Sequence, residues 1–245
     1  MTEYDASTYG ERIAEVYDAW PTVPGDTEAA VACLAELAGR GPLLELGIGT
    51  GRLALPLAAR GLAVQGIDAS PAMVAKLRAK PGGDQIKVAM GDFADVPVDG
   101  RFALVFVAFN TFFALLSQEA QVRCFAAAAA RLAEGGVFVI QAFVPDLGRY
   151  DRGQRVGVNG IDSSRVVLEA SVHDAVAQRV HSQQVVLSHE GVRAYPVEIR
   201  YAWPSELDLM ARLAGLSLRH RWGGWDRQPF TADSRIHVSV YARAA

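Results

Sequence analysis

The chain has 245 residues, 51% hydrophobic and 21% charged, proportions that suit one well-cored globular body. Its net charge of −3 gives no attraction to phosphate backbones, so no nucleic-acid partner is expected. No apolar stretch reaches the roughly 18–20 residues that span a bilayer, and the polar start lacks a leader-like apolar run, so a cytoplasmic protein with no membrane partner is expected.

Residues 1–25 carry an amphipathic helical pattern that ends near Tyr17 and Asp18. Leu43 to Leu46 reads as a buried parallel strand, and Leu53, Leu55, Leu57 and Ala58 open a helix. Between them run Gly47, Ile48, Gly49, Thr50, Gly51 and Arg52. Glycines there can adopt positive φ and let a ligand approach the backbone, while the helix start offers free N–H groups. The spacing departs from the dinucleotide pattern G-x-G-x-x-G, because Arg52 occupies its sixth position. No Lys-Ser or Lys-Thr pair follows a glycine loop, which argues against ATP and GTP.

Further elements alternate in the rhythm of right-handed βαβ units. Strands are predicted at Leu62 to Ile67, Ile86 to Met90, Phe102 to Phe109 and Gly136 to Phe143, and helices at Pro71 to Ala79 and Gln118 to Ala133. From about residue 154 the pattern turns β-branched and alternating, predicting antiparallel strands at Arg165 to His173, Gln178 to Ser188 and Val192 to Trp203. A helix from Pro204 to Ala214 and strands at Leu216 to Trp222 and Ile236 to Tyr241 complete the chain. The expected fold is α/β: a Rossmann-like, doubly wound, seven-stranded sheet, mostly parallel with an antiparallel closing strand, plus an antiparallel β cap inserted after strand five. It divides into a lid (1–25), a ligand-binding core (40–145), the cap (154–203) and closing elements (204–245).

Ligands in such sheets bind beyond the carboxyl ends of the strands. Asp68 ends the second strand, Gly91, Asp92 and Phe93 follow the third, and Phe109 and Asn110 end the fourth. Each also has a plainer use, as helix entry, turn cap or loop residue. Together at successive strand ends they form a site.

These residues resemble the class I S-adenosylmethionine-dependent methyltransferases. Glu45, Gly47, Gly49, Thr50, Gly51 and Arg52 resemble the family's first motif. The resemblance implies a cofactor, S-adenosyl-L-methionine, with Asp68 on its ribose and Asp92 and Phe93 at its adenine, flanked by Ala69 and Met73. Tyr17 and Asp18 resemble the lid of small-molecule enzymes, including sugar N-methyltransferases and glycine N-methyltransferase-like enzymes. Trp222 to Phe230 is similar to a broad bacterial branch. Where some sugar N-methyltransferases carry a histidine after strand four, this chain reads Asn110, Thr111, Phe112, Phe113 and Ala114, so no catalytic base is carried over.

The implied activity is transfer of a methyl group to N or O of a small metabolite by a monomer or homodimer. The alternative is a cofactor-binding protein with cyclising or regulatory activity. A good leaving group makes a strong base optional, since alignment and exclusion of water can suffice. Catalytic candidates are Tyr17, Glu169 and His173, with His181 and Asp226 as further options. Alternation places Arg165, Val167, Glu169, Ser171 and His173 on one face, and Tyr195, Val197, Ile199, Tyr201 and Trp203 on another that could line an acceptor pocket. The five histidines are scattered and no metal-ligand spacing occurs, so no metal is expected.

Overall fold

Residues 4–20 and 25–243, the part described by this computed structural model, build two sheets. The larger contains β1 (Leu43–Leu46), β2 (Val64–Asp68), β3 (Lys87–Met90), β4 (Phe102–Val107), β5 (Leu132–Phe143), β10 (Leu216–Trp222) and β11 (Ile236–Arg243). Their order is β10-β11-β5-β4-β1-β2-β3. β11 runs antiparallel to both its neighbours, and every other pair in this sheet is parallel. That matches the expected Rossmann-like sheet with its antiparallel closing strand.

Alternation sends successive side chains of each central strand to opposite faces, and helices cover both. Leu44, Leu46, Val105, Val107 and Phe138 pack with α5 (Gln118–Arg131) and α6 (Pro204–Leu213). Leu43, Leu104, Phe106 and Val139 pack on the other face with α2 (Thr27–Ala38) and α3 (Ala54–Ala59). Start signals are met locally. Ser70 accepts from the Met73 amide at 3.1 Å, with Pro71 opening α4 (Pro71–Arg78), and Ser117 caps α5 through Ala120.

Two boundaries differ from the sequence reading. The apolar run from Phe102 was expected to remain a strand to Phe109, but β4 stops at Val107 and the chain turns, with φ of 52° at Phe109 and 64° at Asn110. β5 begins at Leu132, not Gly136, because Leu132 pairs with Phe102 before an irregularity that restores register at Leu104 and Val137. The turn expected at Glu134 and Gly135 is absorbed in that irregularity.

The second sheet is an antiparallel meander of β6 (Gln154–Ile161), β7 (Arg165–Asp174), β8 (Arg179–Ser188) and β9 (Gly191–Arg200). Three of these strands were predicted. β6 was not, because Gly157, Asn159 and Gly160 disrupt its β-forming pattern, and β7 supplies its pairing across the sheet.

The N-terminal segment joins the two sheets. α1 (Thr8–Ile13) is followed by a single tight turn at Tyr17–Ala19, so the expected continuous helix to Tyr17 is broken. Residues 1–3 and 21–24 of the expected lid lie outside the described residues. Glu11 accepts from Ser70 Oγ at 2.7 Å and from the Ala72 amide at 2.9 Å, placing its charge at the start of α4. Ile13, Trp20, Met73, Val167 and Tyr195 then form one buried cluster, with Trp20 edge-on to Tyr195 at 5.2 Å.

Candidate active site

The turn after β1 is held to the end of β2. Gly47 and Ile48 amides both donate to Ile67 O at 2.9 Å, and the Gly49 amide donates to Asp68 Oδ2 at 2.7 Å. Gly47 has a φ of +72°, and a Cβ there would stand 2.4 Å from Thr111 Cγ2. Glycine is therefore demanded twice, by conformation and by space. Asp68 Oδ1 accepts from the Ser70 amide at 2.9 Å, leaving each carboxylate oxygen with spare acceptor capacity. Burial pushes the Asp68 carboxyl above its ordinary range, against the pull of these amides.

A cleft of about 280 Å³ opens here, walled by Gly47, Gly49, Asp68, Ala69, Met73, Asp92 and Phe93, with Tyr4, Tyr9 and Tyr17 opposite. Asp92 Oδ1 accepts from the Ala94 amide at 2.8 Å. An acid at a strand end, a glycine wall and apolar flanks suit a nucleoside.

Glu45, Thr50, Gly51 and Arg52 stand behind this wall. Thr50 Oγ1 donates to Asp18 Oδ1 at 2.6 Å, and Gly51 packs on Leu77. Arg52 donates to Thr27 Oγ1 at 3.0 Å, pairs with Asp26 at 3.5 Å and lies over the Phe109 ring. Glu45 is buried with Oε2 unpartnered, and burial pushes its carboxyl up to about 8 although Arg52 opposes this. Such an orphaned buried carboxyl beside a glycine wall fits a cationic ligand group, whose charge would draw it into its ionised form.

Beyond the cleft lies a cavity of about 620 Å³ under the second sheet. Tyr4, Tyr9, Tyr17, Thr111 and Ala114 border both spaces. Burial pushes the Tyr17 phenol up to about 12 and raises Tyr9 further, so both stay protonated at neutral pH. Phe109 and Asn110 line the cavity and not the cleft. Gln141 secures their left-handed conformation: its Oε1 accepts from the Phe109 amide at 2.8 Å and its backbone O from the Asn110 amide at 3.2 Å. Asn110 Oδ1 in turn accepts from the Phe143 amide at 2.7 Å. Gln141 was missed in the sequence reading, although a lone amide in the apolar run from Val137 to Phe143 was the available signal.

The remaining candidates separate. Glu169 lines the cavity but accepts from Arg155 at 3.2 Å and Gln184 at 3.1 Å, with Arg149 at 3.6 Å. His173 stands behind the wall: its Nε2 is 2.9 Å from Tyr201 Oη, and Tyr150 stacks on the ring at 4.7 Å. His181 faces away and pairs with Glu198 at 3.1 Å. Asp226 is exposed and bonds Gln228, outside both spaces. The face expected to line the pocket is also corrected. Val197, Ile199 and Tyr201 do so, whereas Tyr195 packs on Trp20 and Trp203 is a partly exposed residue preceding α6.

A family model described as a methyltransferase domain matches residues 43–136. The chain is 44% identical to the CcbJ methyltransferase from Streptomyces caelestis, whose structure matches with a TM-score of 0.94 over 99% of this chain and 100% of that one. It is 29% identical over 243 residues to the cypemycin N-terminal methyltransferase of a Streptomyces species, covering 98% of this chain and 99% of the relative. An S-adenosylmethionine-bound amino pentose methyltransferase from Micromonospora echinaspora shares the fold at 23% identity and a TM-score of 0.70, covering 100% of this chain and 99% of that chain.

Proposed function

The chain belongs to the S-adenosylmethionine-dependent methyltransferases, and on that premise we propose that it methylates a nitrogen atom of a small natural-product acceptor held in the larger cavity. The observation that carries this reading is the pairing of every carboxylate lining that cavity among the described residues. Glu169 is held by Arg149 and Arg155, Asp146 by Arg235, and Glu198 by Arg179. Among the described residues no unpaired carboxylate and no histidine lines the space, and His173 is screened by Tyr201. A hydroxyl acceptor needs help to lose its proton, whereas an amine that enters neutral already carries the attacking lone pair. Alignment can then supply several kcal/mol of the barrier.

When bound, S-adenosylmethionine supplies an electrophilic methyl group on a positively charged sulfur. Asp68 would accept from ribose hydroxyls, with Asp92, Phe93, Ala69 and Met73 around the adenine. Glu45 and Arg52 would set the charge behind Gly47, Gly49, Thr50 and Gly51. Tyr9 and Tyr17 sit at the junction, where they exclude water and hold polar groups without ionising. The cavity lies within the range of drug-sized ligand sites, which favours a whole small molecule over an extended polymer. The cypemycin relative is an N-terminal methyltransferase, which supports nitrogen as the acceptor.

The test is incubation with methyl-labelled S-adenosylmethionine and a panel of small amines with their hydroxyl counterparts. Label is expected on nitrogen. Label confined to oxygen overturns the proposed acceptor, and consumption of the cofactor with no methylated product overturns the transfer itself.

A further inference from the structure

Glu169 is the hub of a charge cluster on the cavity side of the second sheet, and the cluster holds more cation than anion. Its Oε1 accepts from Arg155 Nη1 at 3.2 Å and lies 3.6 Å from Arg149 Nη2, while its Oε2 accepts from Gln184 at 3.1 Å and from Asn159 at 3.3 Å. Two guanidinium groups therefore share one carboxylate, both of whose oxygens are already engaged. Among the described residues the Arg149 side chain, in the short turn Leu147–Arg149, makes no hydrogen bond, and that of Arg155 makes only the one to Glu169. Most N–H groups of the two forks thus remain available to a ligand. The fold makes room for this arrangement. Gly157 lies opposite Glu169 in the register, and a Cβ there would stand 2.6 Å from Arg155 Nη2 and 2.9 Å from its Cζ. The glycine that weakens β6 as a strand is what lets the Arg155 guanidinium lie against it. Arg149, Arg155, Glu169 and Gln184 all line the larger cavity, and none borders the cleft.

We propose that Arg149 and Arg155 form a subsite for a carboxylate on the methyl acceptor, which then carries an amine at one end and an acid at the other. The subsite rests on the assignment of the larger cavity to the acceptor and narrows its class. The two other acids lining the cavity are matched, Asp146 by Arg235 and Glu198 by Arg179. The Glu169 cluster alone is left with a single positive charge in excess, which a carboxylate balances and a phosphate dianion exceeds. Side-chain exposures of 24% for Arg155 and 37% for Arg149 withdraw both in part from water, where a forked contact to a carboxylate is stronger than on an open surface. Glu169, itself held by Asn159 and Gln184, lets the two like charges lie together without neutralising both. Val180, Val197 and Ile199 give the same cavity an apolar wall for the body of the molecule. Because the cluster does not border the cleft, the acid is held apart from the methyl donor and the amine is left to face Tyr9 and Tyr17.

Calorimetric binding to the full chain saturated with S-adenosylhomocysteine tests the subsite without turnover. The probes are 4-(2-aminoethyl)benzoate, its carboxamide and tyramine phosphate, which share an arylethylamine and differ at the far end. The benzoate is expected to bind about tenfold tighter than the carboxamide, the gain of one charge-assisted hydrogen bond or more. Arg155→Gln and, independently, Arg149→Gln are each expected to cut that ratio to below about threefold, and Arg155→Lys, which keeps the charge and loses the fork, to give an intermediate value. Neither arginine borders the cleft, so an unchanged affinity for S-adenosylhomocysteine in the variants reports an intact fold. Equal binding of benzoate and carboxamide, binding of neither, or a ratio that survives both glutamine variants overturns the subsite. A preference for tyramine phosphate over the benzoate overturns its assignment to a carboxylate. No methyl group moves in this assay, so it is decided apart from the acceptor atom. Label on oxygen would overturn nitrogen as the acceptor and leave the subsite standing, whereas nitrogen methylation with benzoate and carboxamide bound alike would do the reverse.

Discussion

The Gly49 amide donates to Asp68 Oδ2 at 2.7 Å, so the glycine turn after β1 and the acid ending β2 form one unit. Asp68→Ala is expected to weaken binding of S-adenosylhomocysteine about ten- to a hundredfold, the loss of one charged hydrogen bond or two. Isothermal titration calorimetry measures this. An unchanged affinity would remove Asp68 from the binding site.

Gly47→Ala forces a Cβ to within 2.4 Å of Thr111 Cγ2 at a φ of +72°. Denaturant unfolding is expected to show a loss of about 1–3 kcal/mol. Thr111→Ser in the same chain removes the struck methyl group. It is expected to restore part of the loss, leaving the backbone component.

His173→Gln separates a remote group from a base. A dedicated base contributes roughly 10²–10⁴-fold, whereas a screened histidine is expected to change kcat by less than about threefold. With an amine acceptor, the acidic limb of the pH–rate profile is expected to follow the acceptor's own pKa in wild type and variant alike. A limb that vanishes in His173→Gln would assign the proton to the imidazole.

Glu45 makes the ligand-free protein sensitive to pH. Its folded pKa of about 8 lies above the ordinary carboxylate value of 4.5, so its contribution is full below 4.5 and lost as pH rises to 8. His237 is pushed down to about 3 by burial, so its contribution is present above 6.5 and lost as pH falls toward 3. The two slopes oppose each other below 6.5. Between 6.5 and 8 Glu45 dominates, and a decline of about 2 kcal/mol is expected. Thermal melts across this window are expected to flatten in Glu45→Gln.

Local pattern by itself determined the larger sheet and one wall of the site. Three leucines around Glu45, three glycines and a helical repeat define the unit from Leu43 to Ala59, because strand period, positive φ and helix packing are properties of adjacent residues. Asp68 and Asp92 were legible for the same reason, since Asp68 ends one short strand and Asp92 lies just beyond the next. The tertiary structure decided what lies opposite. Glu169 meets Arg149 and Arg155, His173 retreats behind Tyr201, and Gln141 fixes the turn at Phe109 and Asn110. These partners lie 14 to 32 residues apart in the chain, and sheet register and side-chain burial bring them together. The same register turns β6, a glycine-broken segment with little strand signal of its own, into the strand that carries Arg155 to the cavity. Sequence therefore determined the glycine wall of the cleft, where chemistry follows from neighbouring residues, and only folding decided which charged groups around the larger cavity are neutralised by a partner.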